Sequence, residues 1–234
     1  MKPKRIILIR HGESEANVSR ELYSNTPDYK IRLTKKGIDQ ASEAGEELFK
    51  LIGFETCRFY ISPLWRTRDT FQNIALSLKP ESIKWRLDPR IREQEWGHLR
   101  NPEETNLIDQ QRTNFGTFYF RIPDGESCAD VYDRISDFLN TLYRDFEKSD
   151  FESNAVIITH GTAIRLFLMR FFHWTPEEFE MTANPHNCEM FILEAYNYRQ
   201  TSKYKLLTPL RSREIPDDYK YNWTNPNLSE YRIL

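Results

Sequence analysis

The chain has 234 residues, 39% of them hydrophobic and 14% aromatic, which is enough for a sizeable core and argues against a disordered chain. Its 33 basic and 35 acidic residues leave a formal charge of −2, so composition gives no support for a nucleic-acid or membrane-surface partner. Cys57, Cys128 and Cys188 are odd in number and far apart. That argues against a disulfide framework or a zinc site and fits free thiols in a reducing, cytoplasmic setting.

The first predicted element is a strand from Arg5 to Ile9. Its apolar run is too short for a signal-peptide core, and no stretch approaches the ~20 apolar residues of a membrane span. I-I-L-I is continuously apolar, as a strand covered on both faces requires, and it stops at Arg10, His11 and Gly12. Thr34 reads as an N-cap, and Ile38, Ala41, Gly45, Leu48 and Ile52 follow at helical spacing. A second strand, Arg58 to Ile61, runs into Ser62-Pro63, an N-cap with proline at the first helical position. Phe71, Ile74 and Leu78 continue that helix, and a third strand spans Ile83 to Leu87.

Residues 98 to 123 fit no regular element well and read as a lid-like insertion. Within it, Phe115, Phe118, Tyr119, Phe120 and Arg121 are candidates to line a pocket, although packing on the core explains most of them equally well. The clearest helix carries Val131, Ile135, Leu139, Leu142 and Phe146, with Ser127 and Asp130 placed as a capping box. A strand from Ala155 to Thr159, a helix with Ile164, Phe167, Leu168 and Phe171, and a strand from Met190 to Leu193 complete the pattern. From about Pro209 an extension rich in proline, asparagine and charge is expected to wrap the surface. No repeat or linker divides the chain, so a single domain over residues 1–234 is expected. Strands alternating with helices predict an α/β fold with a mainly parallel sheet.

In such folds ligands sit at the carboxyl ends of strands, beside helix N-termini whose free N–H groups and partial positive charge suit phosphate. Three strand ends here are polar: Arg10-His11-Gly12, then I-S-P-L-W-R-T-R with Arg66, then I-I-T-H-G-T with His160 and Gly161. Arginine binds phosphate oxygens in a bidentate manner and stays charged, and a neutral imidazole can attack phosphorus. Taken alone, a His-Gly turn or a helix arginine has an ordinary structural reading; the ordered set of three is what points to one anion site.

R-H-G-E-S-E-A-N, I-S-P-L-W-R-T-R-D-T, R-I-R-E-Q-E-W-G, P-D-G-E-S and T-H-G together resemble the motifs of the histidine phosphatase, or phosphoglycerate-mutase-like, superfamily. R-I-R-E-Q-E-W-G, F-G-T-F-Y-F-R and G-E-S-C-A-D-V-Y-D-R are most similar to its plant and fungal acid-phosphatase members. The resemblance implies a three-layer α/β/α sandwich. It implies His11 as the nucleophile that becomes phosphohistidine. Arg10, Arg66 and His160 would bind the phosphoryl group, with Asn17 and the Gly161 amide as further phosphate ligands.

Glu93, four residues before Gly97, matches the proton donor better than its rival Glu95. Ser14 and Glu126 are second-tier candidates near the pocket, and Arg121 is a candidate contact for a second anionic group. No motif surrounds His98, His173 or His186, and His173 reads as a packing residue. The chemistry asks for no cofactor or metal, and the expected partner is a small phosphorylated substrate. The glycolytic mutase pattern is missing at Y-S-N-T-P-D-Y-K-I-R and N-P-E-E-T-N-L-I-D-Q-Q-R, which favours a phosphatase over phosphoglycerate-mutase-type transfer. A non-catalytic phosphate-binding protein is the third reading, and the complete set of core residues argues against it.

Overall fold

The two continuously apolar runs become the two central strands. The computed structural model describes residues 2–98, 102–196 and 203–213. Its strands are β1 (Arg5–Arg10), β2 (Cys57–Ile61), β3 (Ile83–Leu87), β4 (Asn154–Thr159), β5 (Met190–Ala195) and β6 (Tyr204–Leu206). They form one sheet in the order β3-β2-β4-β1-β5-β6. β3, β2, β4 and β1 run parallel, β5 is antiparallel to β1, and β6 is antiparallel to β5.

The helices are α1 (Glu15–Val18), α2 (Leu22–Asn25), α3 (Lys35–Ile52), α4 (Trp65–Ala75), α5 (Pro102–Phe115), α6 (Cys128–Phe146), α7 (Gly161–Phe172) and α8 (Pro176–Glu180). Successive strand side chains point to opposite faces, so β1 feeds two cores. Ile6 and Leu8 pack with α6 and α7 residues such as Ile135, Phe138 and Phe167. Ile7 and Ile9 pack with Ala44, Leu48 and Ile74 of α3 and α4. The result is the expected three-layer α/β/α arrangement. Among the described residues no helix is long and apolar enough to cross a membrane.

α6 forms as its pattern predicts: the Ser127 side chain accepts from Asp130 N–H, and Val131, Ile135, Leu139, Leu142 and Phe146 are buried. Other elements differ from the sequence expectation. α3 buries Gly37 rather than Ile38, which is 42% exposed, because the helix start lies directly on the Gly12–Glu13 backbone. α4 begins at Trp65 with Leu64 as N-cap, so Ser62 does not cap it. His173 is an exposed left-handed C-cap of α7, with φ 57°, rather than a packing residue.

Residues 102–115, expected to be irregular, form α5, which starts with proline and two glutamates in its first turn. Within the 98–123 segment, residues 99–101 lie outside the described residues, as do residues 214–234 of the C-terminal extension. The part of that extension that is described packs back: Ser212 bridges Thr182, Ala183 N–H donates to Arg211 O, and Arg213 N–H donates to Met181 O.

Candidate active site

β1 and β4 pair with Arg10 opposite Thr159, so His11 and His160 leave adjacent strand ends together. Their rings meet edge to face, centroids 5.2 Å apart. His11 is 4% exposed and His160 is fully buried. The glycine after His11 is required by packing: a Cβ on Gly12 would lie 2.4 Å from the Gly37 carbonyl oxygen, so α3 approaches here through backbone alone. His11 Nδ1 lies 2.7 Å from the Gly12 carbonyl, which only accepts. The proton therefore sits on Nδ1, and Nε2 keeps its lone pair. Burial first, then the charges of Arg66 and Arg10, push the His11 pKa well below the ordinary imidazole value. The ring is neutral and held in one tautomer, with Nε2 able to act as a nucleophile.

The cations around it are arranged to leave donors free. Arg66, 3% exposed on the first turn of α4, gives its Nη1–Nη2 end to Asp28: Nη1 donates to Oδ1 at 2.7 Å and to the main-chain carbonyl at 3.0 Å, and Nη2 donates to Oδ2 at 3.3 Å. The Nε–H side of the guanidinium is left for a ligand. Arg10 donates from Nη1 to the Pro185 carbonyl, and its buried Nε–H has no acceptor among the described residues. His160 Nδ1 is likewise buried without a partner. Unpaired buried polar atoms are rare and costly, and two of them beside His11 mark a place where an anion completes the hydrogen bonding.

Glu93 enters from the segment after β3. Its Oε1 accepts from Gln94 N–H at 3.0 Å and its Oε2 from Thr162 N–H, in the first turn of α7, at 3.3 Å. The segment itself is braced by Arg134 of α6. Arg134 donates to the carbonyls of Arg90, Arg92 and Glu93 at 2.7, 2.8 and 3.0 Å, and to Glu126 Oε2 at 2.8 Å. Burial pushes the Glu126 carboxyl up, but Arg134 and Arg92 outweigh it and hold the pKa below the usual range.

The family model for the histidine phosphatase superfamily (branch 1) matches residues 6–205. The chain belongs to the histidine phosphatase superfamily. It is 43% identical to "Phosphoglycerate mutase-like protein AT74" of Arabidopsis thaliana, over 82% of this chain and 65% of that protein, just under two thirds of its length. It is 28% identical to "Broad-range acid phosphatase DET1" of Saccharomyces cerevisiae, over 82% of this chain and 86% of that protein. Its fold is similar to that of a mycobacterial glucosyl-3-phosphoglycerate phosphatase, with a TM-score of 0.68 at 19% identity, covering 88% of this chain and 98% of the other. Membership supports a phosphatase or phosphoryl transferase.

In this superfamily member, Arg10, His11, Asn17, Arg66 and Glu93 line one cleft of about 960 Å³. His160 and Gly161 stand behind that surface, His160 against the His11 ring. A Cβ on Gly161 would lie 3.2 Å from the Asn184 side chain, so the Gly161 position serves packing at the cleft wall. Asn17 Oδ1 accepts from Ser14 N–H at 3.0 Å and from Asn187 Nδ2 at 3.2 Å, which fixes the amide at the cleft edge.

Three sequence candidates do not line the cleft. Ser14 is buried with its Oγ unpaired, because its backbone closes the turn into α1. Glu126 is consumed by Arg92, Arg134 and the Glu95 N–H, and acts as a brace. Arg121 is an exposed ion-pair partner of Asp130 at 2.6 Å. The insertion's aromatics point elsewhere too: Phe118 packs on Phe179 and Tyr132, while Phe115 and Tyr119 are exposed.

The cleft also holds residues that sequence reasoning did not single out: Tyr23, Asp28, Trp96, His98, Arg112 and Asn184. Arg112 and Trp96 pair as a guanidinium over an indole, 5.2 Å from the ring centroid. Reading P-E-E as a helix start would have placed Arg112 on α5; Asp28 lies in a loop with no motif to flag it.

Proposed function

We propose that this chain is a metal-independent phosphomonoester hydrolase that works through a phosphohistidine on His11. The observation that carries the reading is the free Nε2 lone pair on a neutral His11 flanked by Arg10 and Arg66. In the first step Nε2 forms a bond to phosphorus, the bond from phosphorus to the ester oxygen breaks, and Glu93 gives its proton to the departing alkoxide. In the second step Glu93 takes a proton from water, the hydroxide bonds to phosphorus, and the N–P bond breaks to release inorganic phosphate. Arg10 and Arg66 supply fixed positive charge, and His160 a neutral donor, around the equatorial oxygens, where a loose transition state concentrates charge. Asn17 and the amide of Gly161 add donors at the same oxygens.

The expected substrate is a small phosphorylated molecule, and the likeness to a broad-range acid phosphatase supports activity at acidic pH. The test is turnover of an aryl and an alkyl phosphate with EDTA present. Wild type is expected to be active and His11→Ala to lose at least about 10³-fold in kcat. Glu93→Gln is expected to hurt the alkyl ester more than the aryl ester, whose leaving group needs little protonation. An active His11→Ala, or a wild type that isomerises phosphoglycerate and hydrolyses neither ester, overturns the reading.

A further inference from the structure

Ser62 ends β2 fully buried, and since α4 starts three residues later its side chain is free for another use. Its hydroxyl lies 2.7 Å from His160 Nε2. Its backbone is fixed on both sides: Ser62 N–H donates to Ile158 O at 3.0 Å, and its carbonyl accepts from Thr67 Oγ1 at 2.8 Å. The end of one strand thus holds the ring that ends its neighbour.

Burial, then the charges of Arg66, His11 and Arg10, push His160 well below the ordinary imidazole value, so the ring has one proton to place. A hydroxyl can donate to a ring nitrogen or accept from it. His160 is the one hydrogen-bond partner of Ser62 Oγ among the described residues. With the proton on Nε2, the buried Ser62 hydroxyl hydrogen has no acceptor, and Nδ1 turns a lone pair toward any anion beside His11. With the proton on Nδ1, Ser62 O–H satisfies Nε2, and Nδ1–H, buried without a partner among the described residues, is available to an anionic acceptor. Only the second arrangement leaves every donor paired once a phosphoryl oxygen arrives.

The geometry points to Ser62 as a positioning residue that orients His160 and keeps its proton on Nδ1 when the site is filled. This rests on the phosphohistidine reading above, in which His160 donates to the phosphoryl group. Ser62 touches no substrate and acts through the ring.

The experiment is 15N NMR of the histidine side chains in wild type and Ser62→Ala, with and without inorganic phosphate, His160 being assigned by loss of its signals in His160→Asn. Phosphate-loaded wild type is expected to show His160 protonated on Nδ1, with Nε2 an acceptor. Ser62→Ala is expected to lose the hydrogen-bonded Nε2 signature and to drop kcat by about 10-fold or more at unchanged fold by circular dichroism. Ser62→Thr, which keeps the hydroxyl, is expected to stay within about threefold of wild type. A proton on Nε2 in the loaded wild type, or undiminished kcat in Ser62→Ala, overturns the inference. Equal losses in the alanine and threonine variants with an unmoved ring signature would assign Ser62 to packing alone and overturn it too. Absence of any phosphate-induced shift at His160 sinks the underlying phosphatase site, and this inference with it.

Discussion

In the proposed reaction His11 is competent only while Nε2 is unprotonated, so its environment sets where that reaction would fail in acid. Its pKa is lowered, which means the folded ring stays neutral at pH values where a free imidazole is charged. At pH 5.5 an imidazole of ordinary pKa is about nine-tenths protonated, and a site built on one would have lost most of its rate. Here kcat/KM for an aryl phosphate is expected to fall by less than half between pH 6.5 and pH 5.5. A loss of about fivefold over that interval would show that His11 titrates normally. At this scale the candidate residues were legible because R-H-G and T-H-G each close a strand and R-T-R opens the helix that follows one, at the strand ends where a parallel sheet collects ligands. Asp28 was not. Nothing in the spacing of a loop residue says that it will grip Arg66, and only the folded geometry brings the two together.

At the scale of elements, the acid is placed by a helix it does not belong to. Arg134 of α6 ties three consecutive-segment carbonyls, those of Arg90, Arg92 and Glu93, to the Glu126 carboxylate. Arg134→Ala would leave those carbonyls without their donor and Glu126 held only by Arg92 and the Glu95 N–H. It is expected to cost about 3 kcal/mol or more of stability, and to lower kcat on an alkyl phosphate more than on an aryl phosphate, the same pattern as loss of Glu93 itself. Equal losses on both esters would mean that the brace serves the fold and not the acid.

Strand-length apolar runs and the capping box of α6 were readable because each carries its own local signal. β6 has only three residues, and α5 is mostly exposed with a weak apolar face, so neither shows a periodicity to find. Ser62 misled for a specific reason. Its sequence setting suits a cap, but the hydroxyl is spent on His160.

For the molecule as a whole, two buried neutral histidines make acid a threat to the fold as well as to the nucleophile. Both have lowered pKa values, so the unfolded chain takes up protons below about pH 6.5 while the folded one does not. Their contribution to stability is intact above that pH and is lost as pH falls toward the folded values, by up to about 1.4 kcal/mol per pH unit for each ring. Tm is therefore expected to decline from pH 6.5 to pH 5, less steeply in His160→Asn, and to be raised by inorganic phosphate. A Tm that is flat over this range would contradict the buried, neutral assignment. The layer order of the fold was legible in the sequence, because alternation of strands and helices dictates it. The closure of the cleft wall was not, since it joins residues that share no pattern. Met181 to Ala183 pair with Arg211 to Arg213, and Arg211 donates to the carbonyl of Asn184, the residue that packs against Gly161. Chains are made from the N-terminus at about 5–20 residues per second and domains fold as they emerge. His11 leaves the ribosome well before the segment around residue 212 that completes the wall behind it. A growing chain thus carries His11 in an unfinished cleft until that segment has been made, so the proposed site can bind its ligand only after residue 212 is in place.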